Sequence, residues 1–378
     1  MKTSELHYLR KQFRRENSLL RFQDVYSVYI NGDTREILST QYSPFLMLEE
    51  DMQRLLLKNA KKILTGKIDV KIFAKEFNDE FAGDGCYASD ILGNILGAKK
   101  EDFVKQCNTL VQKLLKAYIY DKSMAVCFAR ATLYRKDGSV DFVFCTLNKA
   151  ETPKEQLVYN ADQGVFEYRP YTEPIVKMTA PLEGFMYPLF EDDSGNRSKI
   201  LYYSSKSNKV NNTFIVNVLN CRLTLTAKQE KDYFHEILNE LVGGKIKPVE
   251  LYRVYDNIMR RFESEEDEDY RTLSPSVLKT VLEESDLTLA KDIEEVYSAV
   301  LGRTDYRFKV KNIVPDLSKK SISLGNSDTE INIKPDYLEN VHQVQMDDGD
   351  IYLLIRLNEN VSANGFNIDI EPVQELLK

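Results

Sequence analysis

The stretch Ala125–Leu147 reads AVCFARATLYRKDGSVDFVFCTL, and its pattern decides the architecture. The first arm, Ala125 to Arg135, is rich in apolar and β-forming residues. In the second, Val140, Phe142 and Phe144 point one way, and Val143, Cys145 and Leu147 point the other. Side chains alternate faces along a strand, so this arm is apolar on both sides. A strand of that kind must be covered on two faces, by helices or by a second sheet. Lys136-Asp137-Gly138-Ser139 joins the arms, with Asp-Gly as the tight-turn signal. Asp141 is the ionisable side chain that stands out within it, and the hairpin reads as scaffold rather than as a site.

The flanking segments supply the cover. Residues 4–18 form a charged helix in which Leu9 and Phe13 can dock while Arg10, Lys11 and Arg14 face outward along one stripe. Residues 22–38 read as a strand pair turning at Asn31-Gly32-Asp33. Ser43-Pro44 opens a helical zone whose apolar face runs through Leu64 to a stop at Gly66. Lysines 58, 61, 62, 67, 71 and 75 follow in quick succession. Helices are expected at 88–97 and 101–118. Beyond the hairpin, 148–179 is irregular, with short strands at Val158-Tyr159 and Phe166–Tyr168. Ile200–Tyr203 and Thr213–Leu223 read as further strands.

Thr226-Ala227-Lys228-Gln229 is a capping box opening a helix that ends at Gly243-Gly244. Another helix covers 247–262. The run Glu263–Asp269 then packs six carboxylates into seven residues and reads as a solvated linker. Helices at 275–284 and 288–301 follow. Strands then alternate at 329–334, 341–346 and 351–357, with turns at Asp347–Asp350 and Asn364-Gly365.

Composition bounds the function. The chain has 378 residues with a net charge of −8, which argues against a uniformly basic coat for nucleic acid. The charge is uneven: residues 1–120 hold 19 basic and 16 acidic side chains, so the remainder carries −11. The five cysteines are scattered and form no C-x-x-C pair, which fits reduced thiols in a cytosolic setting. The opening MKTSELHYLRKQFRREN has no apolar stretch of the kind a secretory signal needs, and no run is long enough to span a membrane.

Sought chemistry is sparse. The three histidines are far apart, and H-E-x-x-H fails because position 239 is Asn. Phosphate-loop, G-x-G-x-x-G and G-x-S-x-G patterns are absent from the sequence. Glu191–Asn196 lacks the oxygen spacing of a calcium loop and reads as a turn. No metal or cofactor is expected.

The stretch APLEGFMYPLFEDD at 180–193, with KILYYSSK at 199–206, resembles the hallmark of a bacterial family of unknown function. VQMDDGDIYLLIRL at 344–357, VSANGFNIDI at 361–370 and the opening LRKQF extend that resemblance over nearly the whole chain. It implies no activity. The order of elements is also similar, at the level of pattern, to the bacterial nucleoid-associated proteins: a strand pair at 124–147, an irregular stretch, a helix at 228–242 with Tyr233-Phe234, then helices and a C-terminal β region. That resemblance implies DNA association and dimerisation by analogy.

The expected fold is α+β: a central, mostly antiparallel sheet flanked by helices, then a C-terminal helical and β-meander region. The domains are residues 1–245 and 246–378. The leading functional reading is a non-enzymatic cytosolic protein associated with DNA or acting as a scaffold, with a homodimer as one form. Arg10, Lys11, Arg14, Arg15, Lys58, Lys61 and Lys62 are the candidate nucleic-acid contacts. The alternative is a protein-interaction module, which the tyrosine content suits. A third reading is an enzyme using the carboxylates and arginine of Glu183–Arg197.

Overall fold

A computed structural model describes residues 2–13, 19–78, 85–117, 120, 122–151, 156–160, 163–169, 177–244, 246–265, 267–316, 321–346, 349–359, 361–363 and 366–367. They form two compact units, Met1–Gln229 and Glu230–Lys378. The turn residues Asp347-Asp348 and Asn364-Gly365 fall outside the described set, as do residues 14–18 of the expected helix 4–18.

The first unit contains α1 (Thr3–Lys11), β1 (Leu20–Ile30), β2 (Ile37–Pro44), α2 (Glu50–Ile63), β3 (Ile72–Glu76), α3 (Ala88–Gly97), α4 (Lys100–Lys116), β4 (Met124–Arg135) and β5 (Gly138–Glu151). The hairpin β6 (Gln156–Asn160) and β7 (Val165–Arg169) follows, then β8 (Lys177–Tyr187), β9 (Leu189–Glu191), β10 (Ser194–Asn196) and β11 (Lys199–Ser204). Seven strands make one antiparallel sheet in the order β2-β1-β4-β5-β8-β11-β3. The hairpin that opens the sequence argument supplies β4 and β5, so β5 is the middle strand.

Both faces of β5 are buried, as its double alternation requires. Val143, Cys145 and Leu147 pack with Phe128, Phe185 and Tyr202 beneath α3 and α4. Phe142 and Phe144 pack with Phe22, Met186 and Leu201 beneath α1 and α2. The unit is a helix–sheet–helix sandwich. Gly184 on β8 allows the close approach of α2, because a Cβ there would stand 2.7 Å from Ile63 Cγ2 and 2.5 Å from the Cys145 carbonyl oxygen. The β4–β5 turn is built one residue earlier than Asp-Gly suggests: Arg135 pairs with Gly138, so Lys136-Asp137 are central. Gly138 follows at φ +144°, which an L side chain rarely adopts.

Several elements differ from the sequence reading. Pro44 ends β2 and opens a short 3-10 turn, Phe45–Met47, before α2 begins at Glu50. The edge strand β3 takes up part of the lysine series, and Lys75 is fully buried, with its Nζ bonded to Thr224 Oγ1. Thr213–Leu223 is not a strand; Phe214–Val218 is a π-helical turn. Asn211 Oδ1 accepts the Phe214 N–H at 3.2 Å, while Phe214, Ile215, Val218 and Leu219 bury at helical spacing. Alternation would have buried Val216, which is exposed.

The second unit packs α5 (Ala227–Leu241, whose first turn belongs to the first unit), α6 (Pro248–Arg261), α7 (Pro275–Glu284), α8 (Ile293–Leu301) and α9 (Val310–Ile313) with the pair β12 (Thr272–Leu273) and β13 (Phe308–Lys309). The capping box forms as read: Gln229 N–H donates to Thr226 Oγ1 at 3.2 Å, and Thr226 N–H to Gln229 Oε1 at 3.0 Å. The acidic run 263–269 lies between α6 and α7, which share the core of Val254, Ile258, Leu278 and Val281. Hairpins β14 (Ile322–Gly325) with β15 (Glu330–Ile333) and β16 (Val341–Gln345) with β17 (Ile351–Ile355) follow. The pair β18 (Ser362–Ala363) and β19 (Phe366–Asn367) comes last.

Phe144 is 1% exposed and packs tilted against Phe22 and edge-to-face against Phe13, with centroids 5.5 and 5.7 Å away. Truncation leaves a cavity in the layer under α1. Phe144→Ala is expected to cost about 3–5 kcal/mol in urea unfolding; a loss under about 1 kcal/mol would contradict the two-sided core.

Candidate functional site

The lysines of α2 sit where helix periodicity puts them. Leu56, Asn59, Ala60 and Ile63 turn toward the sheet and are buried. Arg54, Lys58, Lys61 and Lys62 occupy the opposite side and are exposed. Arg54 is neutralised by Glu50 and by Asp51, the latter at 3.4 Å. Lys58, Lys61 and Lys62 form no ion pair among the described residues. Three ammonium groups therefore share the C-terminal half of one exposed helix face. Lys61 and Lys62 also complement the negative end of the helix dipole, a role that cations near a helix C-terminus commonly have.

Helix α1 is a different surface from the one its sequence suggests. Leu6 and Leu9 are buried, Tyr8 stacks on Phe190 at 6.2 Å, and Lys2 pairs with Asp192 at 3.6 Å. Arg10 does not join an outward stripe. It is half-buried, with Nε out of solvent and no hydrogen bond reaching it. The reason is spacing: position 10 lies four residues from Leu6, on the side by which the helix docks. Lys11 is exposed. Arg14 and Arg15 lie outside the described residues. Thus α1 and α2 cover the same face of the sheet, and Lys11, Lys58, Lys61 and Lys62 are the candidate cations exposed to solvent.

The carboxylates of 183–197 are held in separate places. Asp192 and Asp193 are the two central residues of the β9–β10 turn, at φ 49° and 59°, and pair with Lys2 and Arg135. Glu191 accepts from Asn196 Nδ2 at 3.0 Å and from Lys199 Nζ at 3.2 Å. Glu183 instead enters the face beneath α4, beside Tyr120 and Tyr202, with Asn211 Nδ2 at 3.5 Å. Burial pushes its carboxyl above the usual range, against the pull of those neighbours and Lys206. The same burial raises the Tyr120 and Tyr202 hydroxyls. This is a half-buried polar cluster around the buried Tyr202, and the void on the other side of Tyr120 is about 30 Å³, room for about one water.

A second polar network is hidden by the hairpin's apolar pattern. Arg130, in mid-β4, pairs with Asp24, whose Oδ2 lies 3.1 Å from Arg130 Nε. Its Nη1 donates to the carbonyls of Ile95 and Ala98 at 3.2 and 2.6 Å, closing the C-terminal end of α3. Tyr42 donates to Asp24 Oδ1 at 2.6 Å. Asp24 reaches Arg130 because β1 carries an extra residue between Phe22 and Val25, where partners step from Ala131 to Ala129. The bulge re-aims the strand. Alternation alone gives no sign of it, although apolar Phe22 and Val25 at odd spacing were a signal. These groups join sheet to helix.

The remaining features are modest. His235 Nε2 lies 2.7 Å from the Tyr255 hydroxyl, and burial lowers the imidazole pKa. None of the five cysteines is in a disulfide, and burial raises the thiols of Cys107, Cys127 and Cys145. Among the described residues no group of three or more His, Cys, Asp or Glu side chains could hold a metal ion. No described helix is long and apolar enough to cross a membrane.

These features define a two-unit α+β protein with a lysine-bearing helix on the outside of its sandwich. The chain belongs to a family described as Domain of unknown function (DUF4317), whose model matches residues 1–366. This is the near full-length membership that the stretches at 180–193 and 344–357 suggest. No curated protein and no solved structure matches the chain.

Glu183 gives a pH test. Its folded pKa is raised, so ionising it costs stability, and that cost is absent below the unfolded value of about 4.3 and grows as pH rises through it. Glu183→Gln removes the titration. The stability of the variant relative to wild type should rise between about pH 4 and pH 7 in denaturant titrations; a difference independent of pH would contradict the burial of this carboxyl.

Proposed function

We propose that this chain is a non-catalytic, cytosolic nucleic-acid-associated protein whose contact surface is the lysine end of α2. The observation that carries the reading is the trio Lys58, Lys61 and Lys62: exposed, without ion pairs among the described residues, on a helix whose other side is anchored by Leu56, Ala60 and Ile63. Cations held on a rigid element can meet successive phosphates with little ordering cost. The similarity of element order to nucleoid-associated proteins points the same way. The cytosolic setting is supported by five cysteines held as thiols, four of them buried. An acidic remainder limits the contact to this patch and disfavours wrapping of the duplex around the whole molecule.

The reading gives electrostatic, sequence-tolerant binding, because lysines that meet phosphates carry no base information. A gel-shift with a short DNA duplex at low salt should show retention. The combined variant Lys58→Glu, Lys61→Glu, Lys62→Glu should lose affinity by about tenfold or more while keeping the wild-type circular dichroism. Absence of retention by the wild type at low salt, or equal binding by the variant, would overturn it. Recovery of one stoichiometric protein partner, insensitive to nuclease, would favour the protein-interaction reading instead.

A further inference from the structure

The two edges of the seven-stranded sheet are finished differently. At one edge, β3 carries Lys75 and Glu76 and is closed by the chain that follows the π-helical turn. Asn78 N–H donates to the Asn220 carbonyl at 2.7 Å, Arg222 N–H to the Glu76 carbonyl at 2.8 Å, and Phe77 bridges Cys221. At the other edge, β2 reads ILSTQYSP. It carries no charged side chain, and Leu38 through Gln41 are exposed. Natural sheets guard such edges with lysine, proline, a bulge or a covering segment, because the outward N–H and C=O groups are a template for another strand. Here the bulge lies at the start, where the β2 partner of Tyr29 is Ser39 and that of Ile30 is Ile37. Proline stands at the last position. The five residues between, Ser39–Ser43, form a regular edge that no other strand among the described residues pairs with.

The apolar groups around this edge are arranged as a pair of ends. Leu38 is 54% exposed at the start of the strand, and Leu46 and Met47 are 80% and 81% exposed just past its finish. We propose that a second copy of this chain pairs with β2, edge to edge and antiparallel, about a two-fold axis at Gln41. Such pairing sets Ser39 against Ser43 and Thr40 against Tyr42, with no like charges opposed. It brings Leu38 of each copy to the Pro44–Leu46 end of the other, so one operation covers both apolar ends. Two seven-stranded sheets become one continuous antiparallel sheet. A two-fold interface is self-complementary by construction, which suits an edge that is uncharged along its length. An unrelated strand would gain the same main-chain bonds but would need its own apolar groups at both ends. The inference does not rest on the nucleic-acid reading, since it uses β2 and the residues just past it, and Lys58, Lys61 and Lys62 take no part in it.

The axis gives a specific test on the full chain. At Gln41 each residue faces its own copy, so Gln41→Lys or Gln41→Glu places like charges opposite each other. Sedimentation velocity over a concentration series should show a wild-type dimer. Each variant alone should weaken it by about fivefold or more, and an equimolar mixture of the two should restore it through opposite charges. Recovery on mixing excludes loss of folding as the cause. A wild-type chain that stays monomeric throughout would overturn the proposal. So would a dimer that both single variants leave intact, or variants that fail to recover when mixed.

Discussion

The structure depends on one constraint: β5 presents large apolar side chains on both of its faces. Phe142 and Phe144 on one side, and Val143, Cys145 and Leu147 on the other, are each at most 1% exposed. Water must be kept from both, and no single covering layer can do that. Helices therefore lie on each side, and the neighbouring strands inherit the same demand. The bulge in β1 follows from it. Leu20, Phe22 and Val25 serve one core while Tyr26, Val28 and Ile30 serve the other. The change of face is made by an extra residue, whose Asp24 carboxylate is used to hold Arg130 and, through it, the end of α3.

Much of the fold was legible where periodicity is unambiguous. The alternation of β5, the 3.6-residue spacing of α4 and the capping box at Thr226–Gln229 all carry their meaning locally. The failures have two causes: a local cap that outweighed β-propensity, and partners distant in sequence. Thr213–Leu223 has enough β-branched residues to look like a strand, and it coils because Asn211 caps it and one face must cover the sheet. Lys75 reads as part of a basic run, yet Thr224, 149 residues away, receives its ammonium group in the interior. Strand β3 was hidden by those same lysines.

The candidate site shows the same division. Lys58, Lys61 and Lys62 could be placed on an outer face from the spacing of Leu56, Ala60 and Ile63 alone. Arg10 could not, because whether α1 docks by Leu9 and Phe13 or also by the Leu6 side is settled by Phe190 and the β9–β10 turn. The clustered acids of 183–197 look like a convergent group in one dimension. Alternation of faces and the two-residue turn separate them in three, giving one buried carboxyl and several ion pairs. Residue type identifies chemistry, but convergence is a property of the sheet register.

An acidic protein that approaches a polyanion must do so through a small surface, and the account makes that surface three lysines wide. The most direct measurement is the dependence of duplex-DNA affinity on salt, followed by fluorescence anisotropy. Three phosphate contacts give a slope of log Kobs against log salt of about −2.7. Absence of binding at low salt, or a slope near zero, would contradict the assignment of α2 as a phosphate-contacting helix.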